Sequence, residues 1–147
     1  AFGDKESHYP AGLKSFKSGL DGGLQALAET EALEQALHQF FTRALDVYTS
    51  GETPLGCFIF CTAPAEAIAH PEVRRDILAI TTHIDAALTR FFRAAQERGQ
   101  LPSSTDPTIA AQLSQATLHS LALRARAGQS RTTLDAMARG AVGIICR

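Results

Sequence analysis

Apolar residues recur at spacings of three and four along nearly the whole of this 147-residue chain, and strict alternation is almost absent. Spacing near 3.6 gathers such residues on one helical face, whereas a half-buried strand needs a period of two. The pattern predicts an all-α fold of about six helices. The first is expected over residues 4–20, with Asp4 as N-cap and Tyr9, Leu13, Phe16 and Leu20 along one face. Pro10 removes a backbone donor and crowds the preceding turn, so a kink or a later start is expected there. Asp21-Gly22-Gly23 is expected to break the helix or leave a flexible joint.

Thr30 is placed as the cap of a second helix, with Glu31 in its first turn and Leu33, Leu37, Phe40, Phe41, Ala44, Leu45 and Tyr48 on a broad apolar face. Gly51 suits its C-terminal stop. The segment 56–63 is apolar on all sides; a single strand would have no partner, which leaves a short buried helix. A long helix over 71–98 follows, Pro71 at its first position and Gly99 beyond its end. Its inner line is Val73, Ile77, Ile80, Ile84, Leu88, Phe91 and Ala95, and at 1.5 Å per residue it runs roughly 40 Å as the spine. Asp106-Pro107 opens a further helix ending before Gly128, and Ser130 caps the last, the two forming a hairpin.

A chain of this length buries roughly two thirds of its unfolded surface as one domain. With 45% hydrophobic residues, 20% charged and a net charge of -1, it has the composition of a soluble globular protein. The longest apolar stretch, 55–65, contains glycine and proline and falls far short of the roughly 20 residues of a membrane span. No secretory pattern stands at the start, so the expected compartment is the cytoplasm. The first fifty residues carry four Lys/Arg against seven Asp/Glu, and no stripe is basic enough to grip a duplex. Three cysteines fit reduced thiols in a core. Cys57 and Cys61 stand one turn apart, but a metal site would require further donors at matching spacing.

No nucleophile-base pair, paired acids, phosphate loop or metal set appears at a recognisable spacing, so neither catalysis nor a cofactor is expected. Of the five histidines, His38, His83 and His119 fall mid-helix beside apolar faces. They read either as polar anchors in a mostly apolar cavity or as ordinary surface and hydrogen-bonded core residues. The doublets Phe40-Phe41 and Phe91-Phe92 diverge by about 100° on a helix, so each can serve the core and a second surface. In the hairpin, small residues interleave with larger ones, which permits close helix approach. Leu118, Leu121, Ala122 and Ala125, with Leu134, Met137, Ala138, Ala141, Val142 and Ile145, are placed at a two-fold interface forming a four-helix bundle. The alternative is that these helices complete the monomer core.

The opening Ala1-Phe2-Gly3-Asp4-Lys5-Glu6 resembles the junction in tetracycline-repressor (TetR) family regulators where a helix-turn-helix ends and a connecting helix begins. The segment Gly56-Cys57-Phe58-Ile59-Phe60-Cys61-Thr62-Ala63 is similar to the Gly-Cys-Leu-apolar-apolar-Asn-Thr-Ala segment of the family's effector domains. His70-Pro71-Glu72-Val73, Glu97-Arg98-Gly99, Asp106-Pro107, Ala125-Arg126-Ala127-Gly128 and Ser130 follow in matching order. The chain departs at His8 and Pro10, where the family continues a regular helix, and at Cys61, where Asn is common.

The resemblance implies a homodimeric transcriptional regulator, usually a repressor, whose N-terminal helix-turn-helix, absent from this chain, binds operator DNA. Residues 1–20 would be the connecting helix and 21–147 the effector-binding and dimerisation domain. Lys5 matches a lysine that touches a DNA phosphate. A small, mostly apolar effector is expected in a cavity between the second helix, the short buried helix and the spine. Its walls would be His38, Phe41 and Leu45, then Phe58, Cys61 and Thr62, then Ile80, His83, Ile84 and Phe91, with His119 and Leu123 from the hairpin. The competing readings are a stand-alone helical interaction module without an effector, and a small helical enzyme or carrier using the histidines.

Overall fold

The computed structural model describes the backbone of residues 2–52 and 56–147, with side chains from Pro10 onward in the first helix. Among the described residues there are six α-helices and one π-helical turn, and no strand. They run α1 (Phe2–Glu29), α2 (Leu33–Tyr48), the π-turn (Phe58–Thr62), α3 (Ala63–Glu66), α4 (Pro71–Glu97), α5 (Pro107–Arg126) and α6 (Arg131–Ile145). The all-α expectation holds.

The core is the meeting of α2, α4, α5 and α6. Phe41, Leu37 and Leu45 of α2, Ile84, Leu88 and Phe92 of α4, Leu121 of α5 and Leu134 of α6 are fully buried together with Ile59 of the π-turn. Their spacing along each helix is the period read from the sequence, which is why α2 and α4 fall where expected. Asp106 accepts from the Thr108 backbone N–H at 2.8 Å, and Ser130 accepts from that of Thr133 at 3.2 Å, so both hairpin caps form as predicted. Gly99 and Gly128 have φ of 76° and 88° just past α4 and α5, the left-handed stop that glycine adopts without a Cβ penalty.

Two expected boundaries fail. Gly22 and Gly23 do not end α1, which continues to Glu29. Each glycine costs about 1 kcal/mol relative to alanine inside a helix, but the apolar stripe stays in register through Leu24 and Leu27, and Leu27 is buried. Gly23 is itself buried, where a Cβ would lie 3.5 Å from the Phe40 ring, so its bareness lets α1 lie close to α2. Arg43 Nη1 donates to the Gly22 carbonyl at 3.2 Å across the same contact. Pro10 also lies within α1.

Thr30 does not cap α2. Its hydroxyl donates to the Ala26 carbonyl at 2.9 Å, finishing α1 instead. The α2 N-terminus is served from a distance: Gln100, just beyond α4, accepts the Leu33 N–H at 2.9 Å through Oε1. At the opposite end, Arg131 of α6 reaches Asp46 at 2.8 Å and the Thr49 hydroxyl at 3.2 Å while holding Asp135 at 2.9 Å, tying α6 to the end of α2.

Within the segment 56–63 the chain is helical from Phe58 onward, after an extended Cys57, and it is buried on one side only. Cys57, Ile59 and Ala63 face the core, and Phe58, Phe60, Cys61 and Thr62 are half-exposed. The approach is set by Gly56, whose φ is 65° and where a Cβ would stand 2.3 Å from the Ala122 carbonyl oxygen. The bare Cα lets the π-turn pack directly on the α5 backbone.

Candidate functional site: a groove, a polar dent and a hairpin face

The space between α2, the π-turn and α4, where an effector was expected, is filled by side chains. Phe41, Leu45 and Ile84 are fully buried and Ile80 nearly so, so these four hold the core together and do not line a cavity. His38 is half-buried on α2, and Leu123 is 62% exposed on the outside of α5. The ring of Phe58 packs beside Gly12 of α1. Arg126 donates to the Cys61 carbonyl at 3.1 Å and to the Thr62 hydroxyl at 2.9 Å, so these two residues fasten the π-turn to the end of α5. The missed feature is that α5 packs against both α2 and α4 and closes their apolar stripes; single-helix periodicity locates each stripe but not what covers it.

A groove of about 360 Å³ lies instead between the second half of α1 and the second half of α4. Leu24, Leu27, Ala28, Ala87, Phe91 and Ala94 give it an apolar floor, with Asp21, Gln25, His83, Arg90 and Arg98 around it. Of the expected pocket residues, His83 and Phe91 stand here. His83 Nε2 is 3.8 Å from Asp21 Oδ1, a contact between exposed side chains that links the two walls. Arg98 also donates to the Glu31 carbonyl at 3.2 Å, anchoring the groove's far end.

A smaller dent of about 150 Å³ opens between α4 and α5, lined by Thr81, Asp85, Gln112, Gln115, Ala116 and His119. Gln115 is only 3% exposed. Its amide Nε2 donates to the Thr81 carbonyl at 3.1 Å and to Asp85 Oδ1, while its Oε1 is buried with no partner among the described residues. His119 Nε2 is likewise buried without a partner. Burial pushes the His119 pKa below its ordinary value, with the nearby Asp85 charge opposing. The imidazole lies against Phe60 at a centroid distance of 4.0 Å, and Phe60 meets Phe16 of α1 edge-on at 5.7 Å. His119 was anticipated from sequence; Gln115 was not, although a glutamine between core positions Ala111 and Leu118 was a usable signal.

The hairpin exposes a different stripe from the one expected. Leu118, Leu121, Ala122, Ala125, Leu134, Ala138, Val142 and Ile145 are buried in the chain's own core. Met137 and Ala141 are partly buried at its edge. The outward line on α5 is Ile109, Leu113, Ala116, Ser120 and Leu123, again at spacings of four and three, and α6 presents Ala136, Gly140, Gly143 and Ile144 beside it. Ile109, Leu113, Leu123 and Ile144 are each at least half exposed. Both faces of α5 carry apolar residues, and the sequence alone does not say which face turns inward.

The side chain of Lys5 lies outside the described residues. Cys57, Cys61 and Cys146 are free thiols. Burial pushes the Cys57 thiol up to about 11, which keeps it protonated and a poor nucleophile. Among the described residues no three His, Cys, Asp or Glu side chains are placed to hold a metal ion. None of the described helices is long and apolar enough to cross a membrane.

The domain is helical throughout its described residues, with a groove beside its first helix and an apolar face left open on its final hairpin. The family described as "Tetracyclin repressor-like, C-terminal domain" matches residues 33–141, and the chain belongs to that family. It is also 25% identical over 106 residues, 72% of its own length, to the HTH-type transcriptional repressor ComR of Escherichia coli (strain K12). The chain spans about half the length of that curated relative. No solved structure gave a significant match.

Proposed function

We propose that this chain is the effector-sensing and homodimerising part of a ligand-responsive DNA-binding transcriptional regulator, acting as a repressor. The observation that carries the reading is the groove shared by α1 and α4. One wall is the well-packed spine; the other is a helix of which only Gly23 and Leu27 are buried among its described side chains. A mostly apolar effector entering the groove displaces the lightly held wall. α1, with residues 1–20 as its connecting portion, carries that movement to a helix-turn-helix preceding this chain, and Lys5 is assigned the phosphate contact at its start. Family membership and the likeness to a named repressor support this reading.

Two copies meet through the outward stripe of α5 and α6, forming a four-helix bundle about a two-fold axis. Gly140 and Gly143 leave open space on α6, which lets a facing helix approach closely. Effector and operator then oppose each other with a coupling of roughly 1–3 kcal/mol, about 5- to 150-fold in affinity.

The test is operator binding by the full-length protein, measured by fluorescence anisotropy with and without a groove ligand. Ala94→Phe, which fills the groove, should remove the ligand response and leave operator affinity intact. Ligand and operator binding that proceed with no mutual effect would refute the mechanism. Leu113→Asp should give a folded monomer by light scattering with operator affinity lost; a dimer that persists removes α5 from the interface.

A further inference from the structure

The groove between α1 and α4 carries opposite charges toward its two ends. At one end Asp21 lies 3.8 Å from His83 Nε2, and among the described residues Asp21 is the only acid on the lining. His83, Ala87, Arg90, Ala94 and Arg98 follow at spacings of four and three, so one face of α4 carries them all along the groove. At 1.5 Å per residue the two arginines stand roughly 10 and 22 Å beyond His83 along the helix axis. Leu24, Leu27, Ala87 and Phe91 form the apolar floor between the ends. Arg98 Nη2 donates to the Glu31 carbonyl at 3.2 Å, which fixes its guanidinium just past the end of α1. A guanidinium has further N–H donors, so that bond does not exhaust it. Arg90 is exposed and makes no hydrogen bond or ion pair among the described residues. A guanidinium left free in this way pairs a planar carboxylate through two parallel N–H bonds. An exposed ion pair alone adds little affinity, whereas each methylene fully buried on an apolar floor adds up to about fourfold. Head and tail are needed together.

We propose that the ligand of this groove is a medium-chain monocarboxylate, its carboxylate held by Arg90 and Arg98 and its alkyl tail laid on the apolar floor toward Asp21. The proposal rests on the reading of the groove as the effector site and names the chemical class that site takes. Charge complementarity sets the direction of the ligand: the head meets the two guanidiniums, and Asp21 at the tail end repels a second carboxylate. A dicarboxylate of the same length is therefore a poor ligand.

The experiment is isothermal titration calorimetry on the full-length protein with sodium octanoate, against 1-octanol, octylammonium and suberate as probes of the same length. Octanoate should bind saturably, at least about tenfold tighter than any of the three, and should weaken as ionic strength rises. Arg90→Gln should weaken octanoate about fivefold, and the double variant with Arg98→Gln about tenfold or more, with helicity unchanged by circular dichroism. Arg93→Gln removes the same charge from α4 outside the lining and should leave the affinity unchanged. Absence of saturable octanoate binding, equal affinity for octanoate and 1-octanol, or equal effects of Arg90→Gln and Arg93→Gln each overturns the proposal. If 1-octanol binds as tightly and Ala94→Phe abolishes that binding, the carboxylate fails and the groove reading stands. Octanoate binding that requires Arg90 but leaves operator affinity untouched refutes the regulatory mechanism and leaves the ligand class standing.

Discussion

Replacing Gly56 by alanine tests whether the π-turn is held by direct backbone contact with α5. Two costs are separable. The first is conformational: at a φ of 65° an L side chain is disfavoured by about 1 kcal/mol. The second is steric: the new Cβ would stand 2.3 Å from the Ala122 carbonyl oxygen and 3.1 Å from Cys61 Sγ. Neither the carbonyl nor the backbone can rotate away, so the π-turn must recede from α5 and loosen the burial of Cys57 and Ile59, at about 2 kcal/mol more. The sum of about 3 kcal/mol lowers Tm by about 10 °C for a domain of this size. Gly128→Ala is the internal control, because its φ of 88° carries the same conformational cost and its Cβ would meet nothing within 4 Å. That variant should lose only about 1 kcal/mol, or about 3 °C. Thermal and urea denaturation of both proteins reads the difference, and equal losses would refute the close contact.

Phe41→Ala should destabilise by about 4 kcal/mol in urea titration, the cost of a cavity in a closed core, whereas a residue lining an open pocket would lose far less. Asp106→Ala and Ser130→Ala should each cost about 1 kcal/mol as lost N-caps, and Gln100→Ala should cost about 1 kcal/mol by freeing the Leu33 N–H, an effect that helix propensity would not foresee. Burial raises the folded thiols of Cys57 and Cys146 from 9.0 to about 11. The unfolded chain therefore releases these protons first, so the stability they contribute is fully present below pH 9 and is lost as pH rises to about 11. Tyr48, raised by burial as well, adds a loss of the same sign at still higher pH. Urea midpoints measured across this range should fall, and should fall less steeply for Cys57→Ala.

The sequence by itself determined the fold class, the positions of α2, α4 and the hairpin helices, and the hairpin caps. These features are local: a period near 3.6, a cap two or three residues from its amide, a glycine just past a helix end. The family was legible as well, because Gly56-Cys57, His70-Pro71 and Asp106-Pro107 keep their order along the chain. Tertiary structure decided everything that depends on which surfaces meet. Gly22-Gly23 reads as a break until Phe40 is seen lying against Gly23, and Thr30 reads as a cap until Gln100 is found serving Leu33 from across the domain. Phe41, Leu45 and Ile84 could have lined a cavity or closed one, and only the packing of α5 against both α2 and α4 chose. α5 has apolar residues on two faces, so its periodicity is satisfied by either orientation; packing against α4 and α6 turned Leu118 and Leu121 inward and left Ile109 and Leu113 outside. The groove and the dent are spaces between helices, and their shapes follow from the non-local contacts that fix helix separation.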